Sequence, residues 1–223
     1  RGDKMFPSID ISQAFLQSDE FPPDKVRYVY VWDPVDQDWQ YFRQYRSLYG
    51  ECSAPVRWQE TLAAYLTAPE GPVDSATGLS TGGCGFVRGS NDRSVFYHPV
   101  RKMTIMVYVD DIGTVSLRHD AEWFYAKLAA RFKVKPAVWA LPGGSPVDYL
   151  GMSVSADLGG HIYLSMEQYC ANMFHVLFPN ATVGDHLARK RDRVNVPMVR
   201  PIDEDSPGLN EDEASFFRKA LGM

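Results

Sequence analysis

The chain has 223 residues and a formal net charge of −5, with 45% hydrophobic and 23% charged residues. This length and composition allow a substantial buried core, organised as one large domain or two small ones. The negative charge is not typical of a free-standing nucleic-acid binder, although acidic groups can mask a local basic track.

Membrane and metal-thiolate proteins are not favoured by the sequence. No apolar stretch approaches the roughly 20 residues that cross a bilayer, and the N-terminal residues lack the apolar core of a signal peptide. Cys52, Cys84 and Cys170 are far apart, and no histidine lies at a zinc-ligand spacing from them. We therefore expect reduced thiols in an intracellular protein with no membrane partner. Because no initiator Met is present, we expect the chain to be part of a longer product.

The first part of the chain predicts strands, a hairpin and a helix. Residues 6–16 read as a strand that leads into a short helical turn. Strand-like residues at 28–32 and 39–45 flank a turn and predict a hairpin. Apolar residues at helical spacing predict a helix over 53–68. Residues 71–83, rich in Gly, Ser, Thr and Pro, are predicted to form a long loop.

The second part continues in the same irregular way. Short strands are predicted at 86–87 and 94–97, and an amphipathic helix at 121–132. A Pro- and Gly-containing insertion covers 136–146. A strand pair is then predicted at 147–155 and 161–164.

The C-terminal part is predicted to be helical around a polar linker. Ser165 is expected to cap a helix through 178, residues 179–207 read as a linker, and a last helix is expected over 210–221. Hairpins without a repeating β-α-β unit predict an α+β fold built on an antiparallel sheet.

The central stretch, residues 103–116, places two adjacent carboxylates between β-rich apolar runs. The runs at 104–109 and 112–115 predict a tight hairpin with Asp110 and Asp111 at its turn. Like charges held there repel, and a divalent cation such as Mg²⁺ would compensate them. The alternative is an acidic turn with no ligand, because turns favour Asp.

A third carboxylate, Asp10, follows a β-branched segment and precedes a helix-like Ala-Phe-Leu segment. Facing the Asp-Asp hairpin, it would complete a two-metal site, in which two ions roughly 3.5–4 Å apart hold the attacking and leaving oxygens of a phosphoryl transfer.

Five segments in order resemble the copia-type LTR retrotransposon reverse transcriptases. These segments are Asp-Ile-Ser-Gln-Ala-Phe-Leu from Asp10, Leu-Tyr-Gly at 48–50 with Pro55 and Trp58, Tyr-Val-Asp-Asp at 108–111, Asp-Tyr-Leu-Gly at 148–151, and Ile-Tyr-Leu-Ser at 162–165 with Tyr169.

The resemblance implies an RNA-directed DNA polymerase with a right-hand palm. It implies a palm over 1–164, with a remnant of the fingers at roughly 20–100, and a partial helical thumb over 165–223 that stops before an RNase H domain. The implied partners are a primed RNA or DNA template, deoxynucleotides, and the other parts of one polyprotein, including the missing fingers, RNase H and integrase. The implied cofactor is a pair of Mg²⁺ ions, with Mn²⁺ as an alternative. A cytoplasmic virus-like particle is the implied location.

The resemblance also assigns the metal ligands. Asp10 and Asp110 match the two aspartates that bind both metals in the family, and Asp111 matches a lesser ligand. The backbone of Ile11 is expected to face the metal, and that of Ser12 the triphosphate.

Three further residues match positions near the nucleotide. Phe15 matches the ring under the sugar, where bulk excludes a 2′-hydroxyl, although a core aromatic is the alternative. Lys135 matches a lysine beside the leaving pyrophosphate, although Lys133 is close by and an ordinary surface lysine is the alternative. Ser53 stands where the family has a Gln that packs on the nucleotide.

Primer and template contacts are the least specific expectations. Tyr108 of the hairpin and the Leu150-Gly151 pair match positions near the primer end, with an ordinary bend as the alternative for Gly151. Arg189, Lys190 and Arg191 form the one dense basic run. These side chains are expected either to contact phosphates or to be simply solvated.

The sequence departs from the family at Glu51–Ala54, where Cys52 and Ser53 replace a Lys and a Gln, and after Lys135. These departures leave open a decayed or co-opted remnant that keeps the fold and at most binds nucleic acid. A nucleotidyl cyclase with a similar palm is a weaker alternative, because no purine-specific pocket is evident.

Overall fold

The structure is a computed structural model that describes residues 4–177, 210–212 and 215. As predicted, the described residues form a mixed α+β fold with mostly antiparallel strands and three α-helices. The chain divides into two compact units, Arg1–Leu150 with Val154–Leu164, and Gly151–Ser153 with Ser165–Met223. In the part of the chain that is described, no helix has the length and apolar character that would take it across a bilayer.

The first unit is built on a six-stranded sheet whose strands run in the order β10-β1-β9-β8-β7-β6. Every neighbouring pair in this sheet is antiparallel. The strands are β1 (Lys4–Asp10), β6 (Val87–Arg88), β7 (Val95–His98), β8 (Met103–Tyr108), β9 (Asp111–Leu117) and β10 (Val138–Ala140). The predicted central hairpin is thus confirmed as β8 and β9.

Two helices supply the other side of the core. Helix α1 (Ala54–Thr67) and helix α2 (Arg118–Arg131) match the two predicted helices to within three residues. In α1 the buried positions Trp58, Leu62 and Leu66 recur every four residues, which places them on one face of the helix. They join one core cluster with α2 side chains and with strand residues that include Ile9 and Ile112.

The described residues also form three smaller sheets. The predicted N-terminal hairpin is confirmed as β2 (Arg27–Asp33) paired with β3 (Asp38–Gln44), in a two-stranded sheet of its own. A second hairpin joins β4 (Glu70–Val73) to β5 (Ser80–Gly82). The third sheet has the order β11-β12-β13, with β11 (Val147–Tyr149), β12 (Met152–Ala156) and β13 (Ile162–Ser165).

The prediction of a long loop over 71–83 is wrong, because this segment contains most of the β4–β5 hairpin. The carboxylate of Asp74 organises the turn by accepting hydrogen bonds from the Ala76 N–H and the Thr77 hydroxyl. The buried Lys127 of α2 donates to the carbonyls of Ser80 and Gly82. These polar contacts hold the hairpin in place. Its strands lack the hydrophobic alternation by which a strand is predicted from sequence.

Two other boundaries also differ from the sequence prediction. The insertion predicted over 136–146 contributes strand β10, which pairs with β1 at the edge of the main sheet. The single strand predicted over 147–155 is two strands, because Leu150 (φ +53°) and Gly151 (φ +75°) both adopt left-handed backbone conformations and break it. An edge position and a two-residue turn depend on long-range pairing, so neither leaves a clear local pattern.

The second unit contains helix α3 (Glu167–Leu177), close to the predicted range. The Ser165 hydroxyl accepts a hydrogen bond from the Glu167 N–H at 3.2 Å, which confirms Ser165 as a capping side chain. The linker predicted over 179–207 and most of the helix predicted over 210–221 lie outside the described residues.

Candidate active site

The predicted acidic residues meet at one end of the main sheet. In the antiparallel register of β1 and β9, Asp10 lies directly opposite Asp111, and Asp111 in turn lies opposite Tyr108 of β8. Directly opposed residues share a face of the sheet. Because Ile9 and Ile112, their neighbours along the strands, belong to the core cluster, the acidic row lies on the face away from the helices.

Backbone hydrogen bonds hold three segments of the chain together around this row. The Ile11 N–H donates to the Asp110 carbonyl, the Lys135 N–H to the Asp10 carbonyl, and the Ser12 N–H to the Lys133 carbonyl, each at 2.9 Å. The end of β1 is therefore joined to the β8–β9 turn on one side and to the segment after α2 on the other. Residues distant in sequence are fixed in one place by main-chain bonds.

The turn that carries Asp110 is supported from beneath by a tryptophan. Val109 has a φ of +55°, a strained conformation for a β-branched residue. The indole Nε1 of Trp58 donates to the Val109 carbonyl at 2.7 Å, and Trp58 is 1% exposed. Trp58 therefore positions the turn. The sequence identified Trp58 only as part of a motif, since nothing in local spacing reveals this contact.

Glycine at position 113 lets two aromatic rings approach the same row. A Cβ there would lie 2.6 Å from Cζ of Phe6 and 2.9 Å from Cζ of Tyr149. These two rings contact each other edge to face, with centroids 5.2 Å apart. Both are buried, and sequence reasoning gave neither a role. The two rings pack at Gly113, next to the acidic end of the sheet.

The electrostatics of the row are dominated by negative charge. Burial raises the pKa of Asp111, and the neighbouring carboxylates Asp110 and Asp10 raise it further. Lys135 Nζ lies 2.8 Å from Asp10 Oδ2, and its hydrogen bond to that carboxylate raises the pKa of the ammonium. The ammonium thus opposes only part of the charge of three carboxylates. The sequence left Lys135 and Lys133 as competing lysines, and the structure brings Lys135 to Asp10.

Among the described residues, no group of three or more His, Cys, Asp and Glu side chains could hold a metal ion as arranged. The donor chemistry nevertheless fits Mg²⁺, because Asp10, Asp110 and Asp111 offer hard carboxylate oxygens. Their mutual repulsion, expressed in the raised pKa of Asp111, favours a bound cation. The two-metal site stays a prediction.

The residues predicted to contact a nucleotide lie in different surroundings. Ser12 is next to the acidic row, and the partly buried Phe15 ring packs against Tyr49 with centroids 4.9 Å apart. Phe15 also packs against the core cluster, so it combines a structural contact with a partly exposed ring. Ser53 lies at the start of α1, and no hydrogen bond found among the described residues joins it to the aspartates.

The residues predicted to contact primer or template are exposed where they are described. Tyr108 is 62% exposed and lines a cavity of about 310 Å³ together with Trp58, Phe96 and Arg88. Leu150 and Gly151 are both exposed. The basic run of Arg189, Lys190 and Arg191 lies outside the described residues.

No protein-family model matches this chain, and no curated protein matches it either. The acidic row, its lysine and the backbone that holds them are therefore the features that indicate a function.

Proposed function

We propose that this chain is the palm, with part of the thumb, of an RNA-directed DNA polymerase of the copia retrotransposon type. The observation that carries the proposal is the direct opposition of Asp10 and Asp111 across two strands, with Asp110 in the adjoining turn. Like charges directly opposite each other in a sheet are destabilising. An arrangement that concentrates partly buried carboxylates at one end of two neighbouring strands is typical of a site that binds divalent cations.

The three carboxylates would hold a pair of Mg²⁺ ions, with Asp10 and Asp110 as principal ligands. When bound, such ions supply a primer 3′-hydroxyl of lowered pKa and neutralise the departing pyrophosphate. Asp111 belongs to strand β9 rather than to the turn, so its role is to shape the site and to add negative charge. The Ile11 N–H is already bonded to Asp110, which fixes the spacing of the two ligand-bearing segments.

Lys135 would exchange partners when substrate binds. Its ammonium is exposed and paired with Asp10. Release of Asp10 to a cation frees the ammonium to bind an oxygen of the triphosphate beside it. There it would stabilise the negative charge of the leaving pyrophosphate and donate a proton to it.

Phe15 would select deoxynucleotides. Its contact with Tyr49 and with the core holds the ring in place, so the ring cannot move aside for a larger sugar. A ribonucleotide 2′-hydroxyl would clash with it, which gives discrimination by steric exclusion. Tyr108, Leu150, Gly151 and the basic run 189–191 are proposed to contact primer and template, and the other parts of a polyprotein would complete the enzyme.

A second candidate is a remnant that keeps the fold without catalysis. The replacement of the family Gln by Ser53 favours it, because a shorter side chain loses contact area and hydrogen-bond reach toward a nucleotide. Such a chain would at most bind nucleic acid. The presence of all three aspartates, Asp10, Asp110 and Asp111, argues against this candidate.

Primer extension on poly(rA)/oligo(dT) with Mg²⁺ or Mn²⁺ tests the proposal. We expect dTMP incorporation by the wild type and a loss of at least about a thousandfold in Asp110→Asn, because a metal ligand is removed. Equal incorporation by wild type and Asp110→Asn would contradict the proposal. Absence of incorporation, in this chain and in the longer polyprotein, would favour the remnant. Cyclic nucleotide formed without primer would indicate a cyclase.

A further inference from the structure

The β2–β3 hairpin carries an exposed aromatic face that the proposed polymerase chemistry does not use. The antiparallel register places the residues of this face in three directly opposed pairs, and directly opposed residues share one face of a sheet. Its five aromatic side chains are each 46–71% exposed. The aromatic face consists of Tyr28 opposite Arg43, Tyr30 opposite Tyr41, and Trp32 opposite Trp39.

The rings of the aromatic face are ordered against one another. Tyr30 stacks on Trp39 and on Tyr41, with centroids 4.6 and 4.5 Å apart, and Trp32 meets Trp39 edge to face. The two strands pair with no other strand among the described residues, and an isolated hairpin is marginally stable in water. A contiguous exposed apolar surface of this kind marks an interaction site.

Charge is segregated along the same hairpin. Its tip carries Asp36 in the turn, with Asp33 and Asp38 on the face opposite the aromatic face, and its base carries Arg43 on the aromatic face. Five residues separate Arg43 from Asp38, or about 17 Å along the strand. The Arg43 guanidinium lies over the Tyr45 ring at 5.0 Å. Among the described residues, neither Arg43 nor Asp36 takes part in an ion pair.

We propose that the aromatic face binds a second copy of this chain, with the two hairpins face to face and antiparallel. A two-fold axis through the Tyr30–Tyr41 pair would bring Arg43 of each copy over Trp39 of the other, where cation–π attraction is favourable. The same axis places the acidic tip of each copy beside the basic base of the other. A nucleic-acid strand fits this surface less well, because its uniformly negative backbone would meet Asp36 at the tip.

The size of the face determines the strength of the dimer. Seven-residue strands extend for about 23 Å, so one face of the hairpin covers less than the roughly 800 Å² that each partner contributes to a standard interface. A weak, reversible dimer follows, with a dissociation constant on the order of 10–100 μM.

Analytical ultracentrifugation of the full chain tests the proposal. From about 1 μM to about 300 μM, a range that spans the expected dissociation constant, the wild type should pass from monomer to dimer. Tyr41→Ala should weaken the dimer by at least about tenfold, because central aromatic residues dominate interfaces. Phe42→Ala is the matched control, since Phe42 is 53% exposed on the opposite face, and it should leave the dimer unchanged. Circular dichroism checks the folding of both variants.

A charge exchange separates this dimer from a folding defect. Arg43→Glu and Asp36→Lys should each weaken self-association, because each places like charges together at both ends of the interface. An equimolar mixture should recover wild-type association, since the introduced lysine meets the introduced glutamate and the native pair stays intact at the other end. A mixture that associates no better than its components overturns the proposal. A wild type that stays monomeric also overturns the proposal. If an oligonucleotide instead quenches the tryptophan fluorescence of that monomer, the aromatic face binds nucleic acid and not a second copy.

Discussion

Lys135 and Asp10, 125 positions apart in the sequence, form a salt bridge of 2.8 Å at the open end of the acidic row. The pair depends on main-chain pairing, because the Lys135 N–H also donates to the Asp10 carbonyl. Under the proposed function, a cation that binds Asp10 would have to displace the Lys135 ammonium, which would link metal binding and lysine release at one carboxylate.

Removal of this ammonium should change metal and nucleotide binding in opposite directions. We expect Lys135→Gln to bind Mn²⁺ several-fold more tightly, because a competing cation is lost from Asp10. We expect its KM for dTTP to rise by about tenfold, because a charge-assisted contact is lost. Electron paramagnetic resonance of free Mn²⁺ and steady-state kinetics measure the two effects. Lys133→Gln, also an exposed lysine, should change neither, and weaker Mn²⁺ binding by Lys135→Gln would contradict the linkage.

Neutralising Asp111 should stabilise the fold near pH 7. Burial and the charges of Asp110 and Asp10 raise the pKa of Asp111 above its ordinary 3.8. The folded state therefore favours the protonated acid, and stability is lost as the pH rises through the raised pKa. Asp111→Asn should gain roughly 0.5 kcal/mol at pH 7, since partly exposed charges interact weakly. The gain should vanish below pH 3.8, and calorimetry at both pH values checks this. A gain that persists in acid would indicate a different cause.

Gly113 should not tolerate a side chain. Gly113→Ala places a Cβ within 3 Å of the Phe6 and Tyr149 rings, and overpacking of this kind costs about 1–3 kcal/mol. Urea denaturation measures the loss. Phe6→Leu removes part of the clash, so the double variant Phe6→Leu/Gly113→Ala should lose less stability than the sum of the two single variants. Strict additivity would show that the rings do not restrict this position.

Lys127 should hold the β4–β5 hairpin in place. Its ammonium is 2% exposed and donates to the carbonyls of Ser80 and Gly82. Lys127→Met leaves both carbonyls without this donor, for an expected loss of about 1–3 kcal/mol. Hydrogen exchange should accelerate across residues 70–82. Lys133→Met is the surface control and should have little effect, whereas unchanged exchange in Lys127→Met would exclude the anchoring role.

The features that the sequence could predict are those with local periodicity. Two β-rich apolar runs within residues 103–116 predicted the central hairpin, and apolar residues at helical spacing predicted α1. The β4–β5 hairpin was missed because its stability comes from the distant Lys127 and from a turn built around Asp74. Strand β10 was missed because the one strand that it pairs with among the described residues is β1, more than a hundred residues earlier.

The candidate site likewise contains some residues that the sequence could identify and others that it could not. Adjacent aspartates after a β-rich run drew attention to Asp110 and Asp111, and a motif drew attention to Asp10. The choice between Lys133 and Lys135 could not be made locally, because it follows from the bridge that pairs Ile11 with Val134. The support of the turn by Trp58 was equally invisible, since it joins two elements 51 positions apart.

The proposed function requires that Asp10 and Asp110 together bind divalent cations, which Mn²⁺ titration followed by water-proton relaxation measures. We expect the wild type to bind Mn²⁺, and Asp10→Asn and Asp110→Asn each to lower the affinity by at least about tenfold, because each removes a carboxylate ligand. Asp148→Asn is the control, since Asp148 is exposed and raises the pKa of Asp111 less than the other carboxylates do, and its affinity should match that of the wild type. Unchanged Mn²⁺ affinity in both Asp10→Asn and Asp110→Asn would contradict the account.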